Sequence, residues 1–192
     1  VSKGKYYACA GPGRKLLEVD GAGTTKVEKK LCIGNTCITE NDLKYIESHN
    51  SVRYVKLVNT RHNYLHTCGV KVKNKYGRDL SRGKPTYQTS TGWDGFSGNP
   101  VRTNREPSTG YGYSGGTCNH THIGVGQYWM VDLLKPERIK TIEIWNRTDC
   151  CRDRIRYINI QAINSQGKVL YTFNWGNSTA HKRTFTLPSK FW

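Results

Sequence analysis

Three arginines, two carboxylates and a pair of adjacent cysteines occupy one short stretch of this chain. Arg147 and Arg154 lie seven residues apart, with Asp149, Cys150 and Cys151 between them, and His120 lies upstream. A planar guanidinium presents fixed donors that suit vicinal hydroxyls or a carboxylate. Asp149 is placed to hold one guanidinium still. Neighbouring Cα atoms across a trans peptide are about 3.8 Å apart, below the ~4.4–6.8 Å usual for a disulfide. The cysteine pair is therefore either a small strained ring or two packed thiols.

The stretch sits between two apolar runs. Ile142-Glu143-Ile144-Trp145 precedes it and Ile155-Arg156-Tyr157-Ile158-Asn159-Ile160 follows. Both read as strands of period two, which makes the polar stretch a loop at the end of a sheet. Loops on a rigid scaffold are where binding residues concentrate.

The order of these residues resembles the fucose-binding signature of the F-type lectins. His120 is followed by 26 residues (121–146), then Arg147-Thr148-Asp149, four residues (150–153) and Arg154. Cys118-Asn119-His120-Thr121 and Tyr128-Trp129-Met130-Val131-Asp132-Leu133 agree with the same family. The resemblance implies an all-β, antiparallel, discoidin-like jelly-roll sandwich. It implies that His120, Arg147 and Arg154 donate hydrogen bonds to L-fucose, including its axial 4-hydroxyl. Asp149 would act as orienter, and a Cys150–Cys151 disulfide would stack on the sugar. Tyr111 and Tyr113, just before His120, either wall the pocket around the sugar's methyl group or pack on the domain surface.

The order of the strands departs from the family. Arg53-Tyr54-Val55-Lys56-Leu57-Val58 and Leu65-His66-Thr67-Cys68-Gly69-Val70-Lys71-Val72 resemble the closing strands of an F-type domain, yet precede the sugar motif. In the family a late cysteine bridges to the one before the binding histidine, which implies Cys68–Cys118. Asp79–Thr86 resembles the usual domain start, and the chain runs on through Lys168-Val169-Leu170-Tyr171 to Trp192. Residues 1–75 therefore read as the back half of one module and 76–192 as the front of another. Either the early strands complete their own sandwich, a permuted order, or they complete a neighbouring copy. Strand exchange of the second kind makes head-to-tail contacts that propagate into filaments unless they close.

The family's structural calcium is expected to be lost. Arg102 stands where an acid should be, and Gly69 follows Cys68 in place of another. Calcium prefers oxygen ligands with carboxylates among them. The Arg102 guanidinium is expected to fill that space, with Asp94 and Glu106 the nearby acids able to rescue a site in part. No other cofactor is expected.

Composition bounds the rest. The chain has 192 residues, 20 Gly, 12 Tyr and 7 Cys. That suits one or two β-rich domains in an oxidising, extracellular compartment. No run approaches a membrane span, and Val1-Ser2-Lys3-Gly4 does not read as a signal peptide, so a mature secreted product is expected. Cys32 and Cys37 enclose a short loop that a disulfide can close, and no metal spacing accompanies them. Tyr6–Ala10 and Lys15–Val19 read as strands with Gly-rich turns at 11–13 and 21–23, and 41–48 as a helical turn or two. Thr86–Thr117 reads as long surface loops. Of three sequons, Asn119 and Asn146 overlap the proposed ligands and Asn177 is the free glycosylation candidate.

A net charge of +16 favours anionic surroundings, such as sulfated or otherwise acidic fucosylated glycans. Nucleic acid is a weaker fit, because the cations are scattered and no stacking platform accompanies them. No nucleophile with a matched base is evident, and Asp149 and Asp153 lie within a cluster of arginines, a poor setting for a general acid. The reading is a secreted fucose-binding lectin and not an enzyme. The alternative is a structural subunit of an extracellular fibre or coat built by strand exchange.

Overall fold

The computed structural model describes residues 16–19, 25–28, 30–33, 36–39, 50–92, 103 and 116–192. The chain forms two compact units, Val1–His49 and Asn50–Trp192. Residues 50–75 thus lie in the same unit as 76–192. In the first unit, β1 (Leu16–Val19) pairs antiparallel with β2 (Thr25–Glu28), and β3 (Lys30–Ile33) with β4 (Thr36–Thr39). Cys32 faces Cys37 in the β3–β4 register. The expected strand at 6–10, the turns at 11–13 and 21–23 and the helical stretch at 41–48 lie outside the described residues.

The second unit is an antiparallel β-sandwich. Its larger sheet runs β13 (Val169–Asn174), β12 (Ile158–Ile163), β5 (Val52–Asn59), β10 (Tyr128–Glu137), β8 (Thr86–Gln88). The smaller runs β14 (Lys182–Thr186), β11 (Thr141–Trp145), β7 (Gly69–Lys73). A short ladder joins β6 (Asn63–Tyr64) to β9 (Ile123–Gly124).

Period-two alternation decides which side chains meet between the sheets. Val55 and Leu57 of β5, Trp129 and Val131 of β10, and Ile158, Ile160 and Ala162 of β12 point inward from the larger sheet. Val70, Val72, Ile142, Ile144 and Phe185 answer from the smaller one. Leu57 is fully buried on the central strand, so Leu57→Ala would cost about 2–5 kcal/mol. β5 pairs with β10 and β12, and β7 with β11, all strands of the same chain.

Three expected elements differ. The run 155–160 is not one strand: Arg152–Tyr157 is a 3-10 helix and β12 starts only at Ile158. Ile155 and Ile158 are both buried and three residues apart, the spacing at which 3-10 side chains align. The run 65–72 is also interrupted: β7 starts only at Gly69, and the carbonyls of Leu65 and Thr67 are taken by Thr121 and Asn119 N–H instead of by a sheet strand. Thr86–Gln88, expected as loop, is an edge strand, because Gln88, Tyr87 and Thr86 align with Trp129, Met130 and Val131.

Candidate functional site

The segment Cys118–Thr121 runs antiparallel to Leu65–Cys68, and the Cys68–Cys118 disulfide ties the two at one end. Asn119 N–H donates to Thr67 O at 2.9 Å and Thr121 N–H to Leu65 O at 3.0 Å. The buried Asn119 side chain reinforces this, its Oδ1 accepting from Thr67 N–H at 2.8 Å and Thr67 Oγ1 at 2.9 Å. Alternation then sends Leu65 and Thr67 one way, and Tyr64 and His66 the other. His66 lies directly across from His120.

His120 is 1% exposed. Its Nδ1–H donates to Thr121 O at 2.8 Å, and its own carbonyl accepts from Gly92 N–H at 2.8 Å. Gly92 has to be glycine: a Cβ there would lie 2.6 Å from Thr121 O and 2.7 Å from His120 Nδ1. Burial lowers the His120 pKa, Arg154, Arg147 and His122 add to the effect, and the Thr121 carbonyl opposes it.

Arg147 follows the end of β11. Asn146 is fully buried and closes the loop: its Oδ1 accepts from Arg147 N–H at 2.8 Å while its Nδ2 donates to Arg152 O at 2.9 Å. Arg147 donates twice to Asp149, Nε to Oδ1 at 2.7 Å and Nη2 to Oδ2 at 2.9 Å. Such a fork fixes the guanidinium plane. Cys150 and Cys151 are joined as a disulfide, and Cys151 takes a left-handed conformation at φ 54 that turns the chain into the 3-10 helix. Arg154, on that helix, lies 4.6 Å over the Tyr64 ring, and the Tyr64 ring is 5.0 Å from that of His120.

The two guanidiniums, both imidazoles, Tyr64 and the cysteine pair therefore share one corner. His66 registers it electrostatically. Burial pushes its pKa down to about 3, with His120, Arg154 and Arg147 adding to the depression and the Cys151 backbone opposing it. Neither ring nitrogen of His66 makes a hydrogen bond of ordinary geometry.

Tyr64, His66 and Gly92 escaped the sequence reading. The register was available for His66, which lies two residues before Cys68 as His120 lies two after Cys118. Tyr111, Tyr113, Arg102, Asp94, Glu106 and Cys9 lie outside the described residues. Gly69 packs against Trp145, where a Cβ would sit 3.1 Å from the indole, so an acid would be crowded there. Among the described residues no cluster of three or more His, Cys, Asp or Glu is placed to hold a metal. No helix among them is long and apolar enough to cross a membrane. Asn119 and Asn146 are fully buried whereas Asn177 is exposed.

Residues 98–190 match the family model described as a NedA-like, galactose-binding domain. Fucolectin-6 of Anguilla japonica is 41% identical over 78 residues, 38% of this chain and 40% of the relative. Fucolectin-1 of the same species is 34% identical over 100 residues, 49% of this chain and 54% of the relative. The Pentraxin fusion protein of Xenopus laevis is 37% identical over 54 residues, 28% of this chain and 13% of that protein. The chain thus spans about half the length of the fucolectins it matches. No solved structure matches.

Proposed function

Because the chain belongs, over its C-terminal part, to the F-type lectin (fucolectin) family, we propose that it is a carbohydrate-binding protein recognising L-fucose at the Arg147–Arg154 corner. The observation that carries this reading is the Arg147–Asp149 fork beside Arg154, His120 and the Cys150–Cys151 disulfide. Two guanidiniums supply donors in fixed planes, so little conformational freedom remains to be lost on binding. The sulfur ring offers an apolar plate for the deoxy sugar. His120 lies behind the arginines as the floor of the corner, consistent with its burial.

The role is binding, not bond-making. Two disulfides fit an oxidising compartment, and the protein acts outside the cell on this reading. We read 52–73 as the closing strands of the F-type module, placed ahead of its sugar motif in the chain. A glycan array probed with the wild type and Arg147→Ala tests the function. Selective binding of fucosylated glycans by the wild type alone supports it, and identical profiles for the two proteins refute it.

A further inference from the structure

The two guanidiniums of the corner are held by different means. Arg147 spends Nε and Nη2 on the Asp149 carboxylate. Among the described residues the Arg154 guanidinium donates to no acceptor and pairs with no acid; it is held by the Tyr64 ring, whose centroid is 4.6 Å from its central carbon. A ring face attracts a cation through its quadrupole and offers it no carbonyl or carboxylate oxygen. Arg154 is therefore held with its N–H donors unspent.

Tyr64 is itself fixed. It faces Ile123 across the β6–β9 ladder, and Asn63 faces Gly124. The buried Asn59 side chain clips that ladder, its Nδ2 donating to Asn63 O at 2.6 Å and to Gly124 O at 3.4 Å. Asn63 Oδ1 accepts the Tyr64 N–H at 2.8 Å. The ring also lies 5.0 Å from that of His120, so one aromatic side chain meets two of the proposed sugar ligands.

Two contacts of the same kind, run in opposite directions, clasp the segment 60–64 to the 3-10 helix. Arg154 of the helix lies over Tyr64 of the segment, and Arg61 of the segment lies 4.7 Å over Tyr157 of the helix. Arg154 and Tyr157 are three residues apart, the spacing at which 3-10 side chains align, so both reach the same segment. Thr60 N–H and Oγ1 donate to Tyr157 O at 2.8 and 2.9 Å, which ties the two backbones together there. The helix is thus registered against Tyr64 before any ligand arrives.

We infer that Tyr64 is a positioning residue of the sugar corner: its ring holds the Arg154 guanidinium in place and leaves the donors to neighbouring oxygens of the ligand. The inference rests on the proposed fucose site and adds to it a residue from outside the Arg147–Arg154 loop. Holding the guanidinium in advance spares the ligand the cost of ordering it.

The test is a double-mutant cycle read by NMR titration of free L-fucose, with melting curves alongside. Tyr64→Leu removes the ring and is expected to weaken fucose binding about two- to tenfold, the cost of ordering one long side chain. Tyr64→Phe keeps the ring face and should retain wild-type affinity. In the Arg154→Gln background Tyr64→Leu should cost no further affinity, because no guanidinium is left to hold. Full affinity in Tyr64→Leu, or an equal loss in both backgrounds, overturns the positioning role. The hold on Arg154 is also read without ligand. The Arg154 δ protons, identified by their loss in Arg154→Gln, should be shifted upfield by the ring in the wild type and return to ordinary arginine values in Tyr64→Leu. If Tyr64→Leu does not fold, the wild-type signals still decide, and ordinary values there overturn the inference. If the wild type binds no fucose but shows the shift, the fucose reading falls and the hold of Tyr64 on Arg154 stands. If neither is seen, both fall.

Discussion

His66 stands across from His120 on two neighbouring extended segments, their ring centroids 5.7 Å apart at an interplanar angle of 53°. Two imidazoles this close, next to two arginines, cannot both carry charge at low cost. Burial settles the matter for His66, which stays neutral until about pH 3.

Stability should therefore fall in mild acid. The folded pKa of His66, about 3, lies below its ordinary 6.5, so below 6.5 the unfolded chain binds a proton that the folded one refuses. Its contribution is complete above 6.5 and is lost as pH falls, at about 1.4 kcal/mol per pH unit down to about 3. Lowering of the His120 pKa works in the same direction. Denaturant midpoints between pH 7 and 4 measure the slope, and His66→Gln should flatten it by nearly one proton. An unchanged slope would show that His66 titrates normally.

Gly92→Ala should damage the corner without touching any charged group. Its new methyl would collide with Thr121 O and His120 Nδ1, and backbone is the obstacle that cannot swing aside. A destabilisation of about 1–3 kcal/mol is expected, along with weaker fucose binding at a temperature where the variant is folded. Wild-type stability and affinity together would rule out the close packing of Gly92.

Asp149→Asn should separate binding from folding. The Asp149 side chain is 40% exposed, so losing the pair costs at most about 1 kcal/mol of stability. Freed from its fork, Arg147 has to be ordered by the ligand instead, at about 0.5–1.5 kcal/mol, or about two- to tenfold in affinity. Calorimetric titration against thermal melting resolves the two effects. A large drop in melting temperature with unaltered affinity would assign Asp149 to folding.

Glycan occupancy follows burial. Asn119 and Asn146 spend their amides inside the fold, on Thr67, Arg147 and Arg152, whereas Asn177 is exposed. Peptide mass mapping of the protein from a glycosylating host should find glycan at Asn177 and none at the other two. Modification at Asn146 would be incompatible with the closed loop described for 146–152.

The corner was legible because its chemistry is local and its spacing rigid. Arg147, Asp149, Cys150, Cys151 and Arg154 all fall within eight residues, and the β11 alternation announced the strand before them. The strand after them was misread because Ile155 and Ile158 belong to a turn of period three, while Ile158 and Ile160 resume period two. His66 and Tyr64 stayed hidden because their role depends on a register set 50 residues away by Cys68 and Cys118. Gly92 carries no side chain for a motif to notice. Its importance lies in what approaches it.

Calorimetric titration of free L-fucose into the wild type and Arg147→Ala, with melting curves run alongside, bears most directly on the account. Saturable one-site binding by the wild type, weakened at least tenfold in a variant that melts at the same temperature, is the predicted result. Indistinguishable titrations of the two proteins, or no heat from a folded wild type, would contradict a fucose site at Arg147.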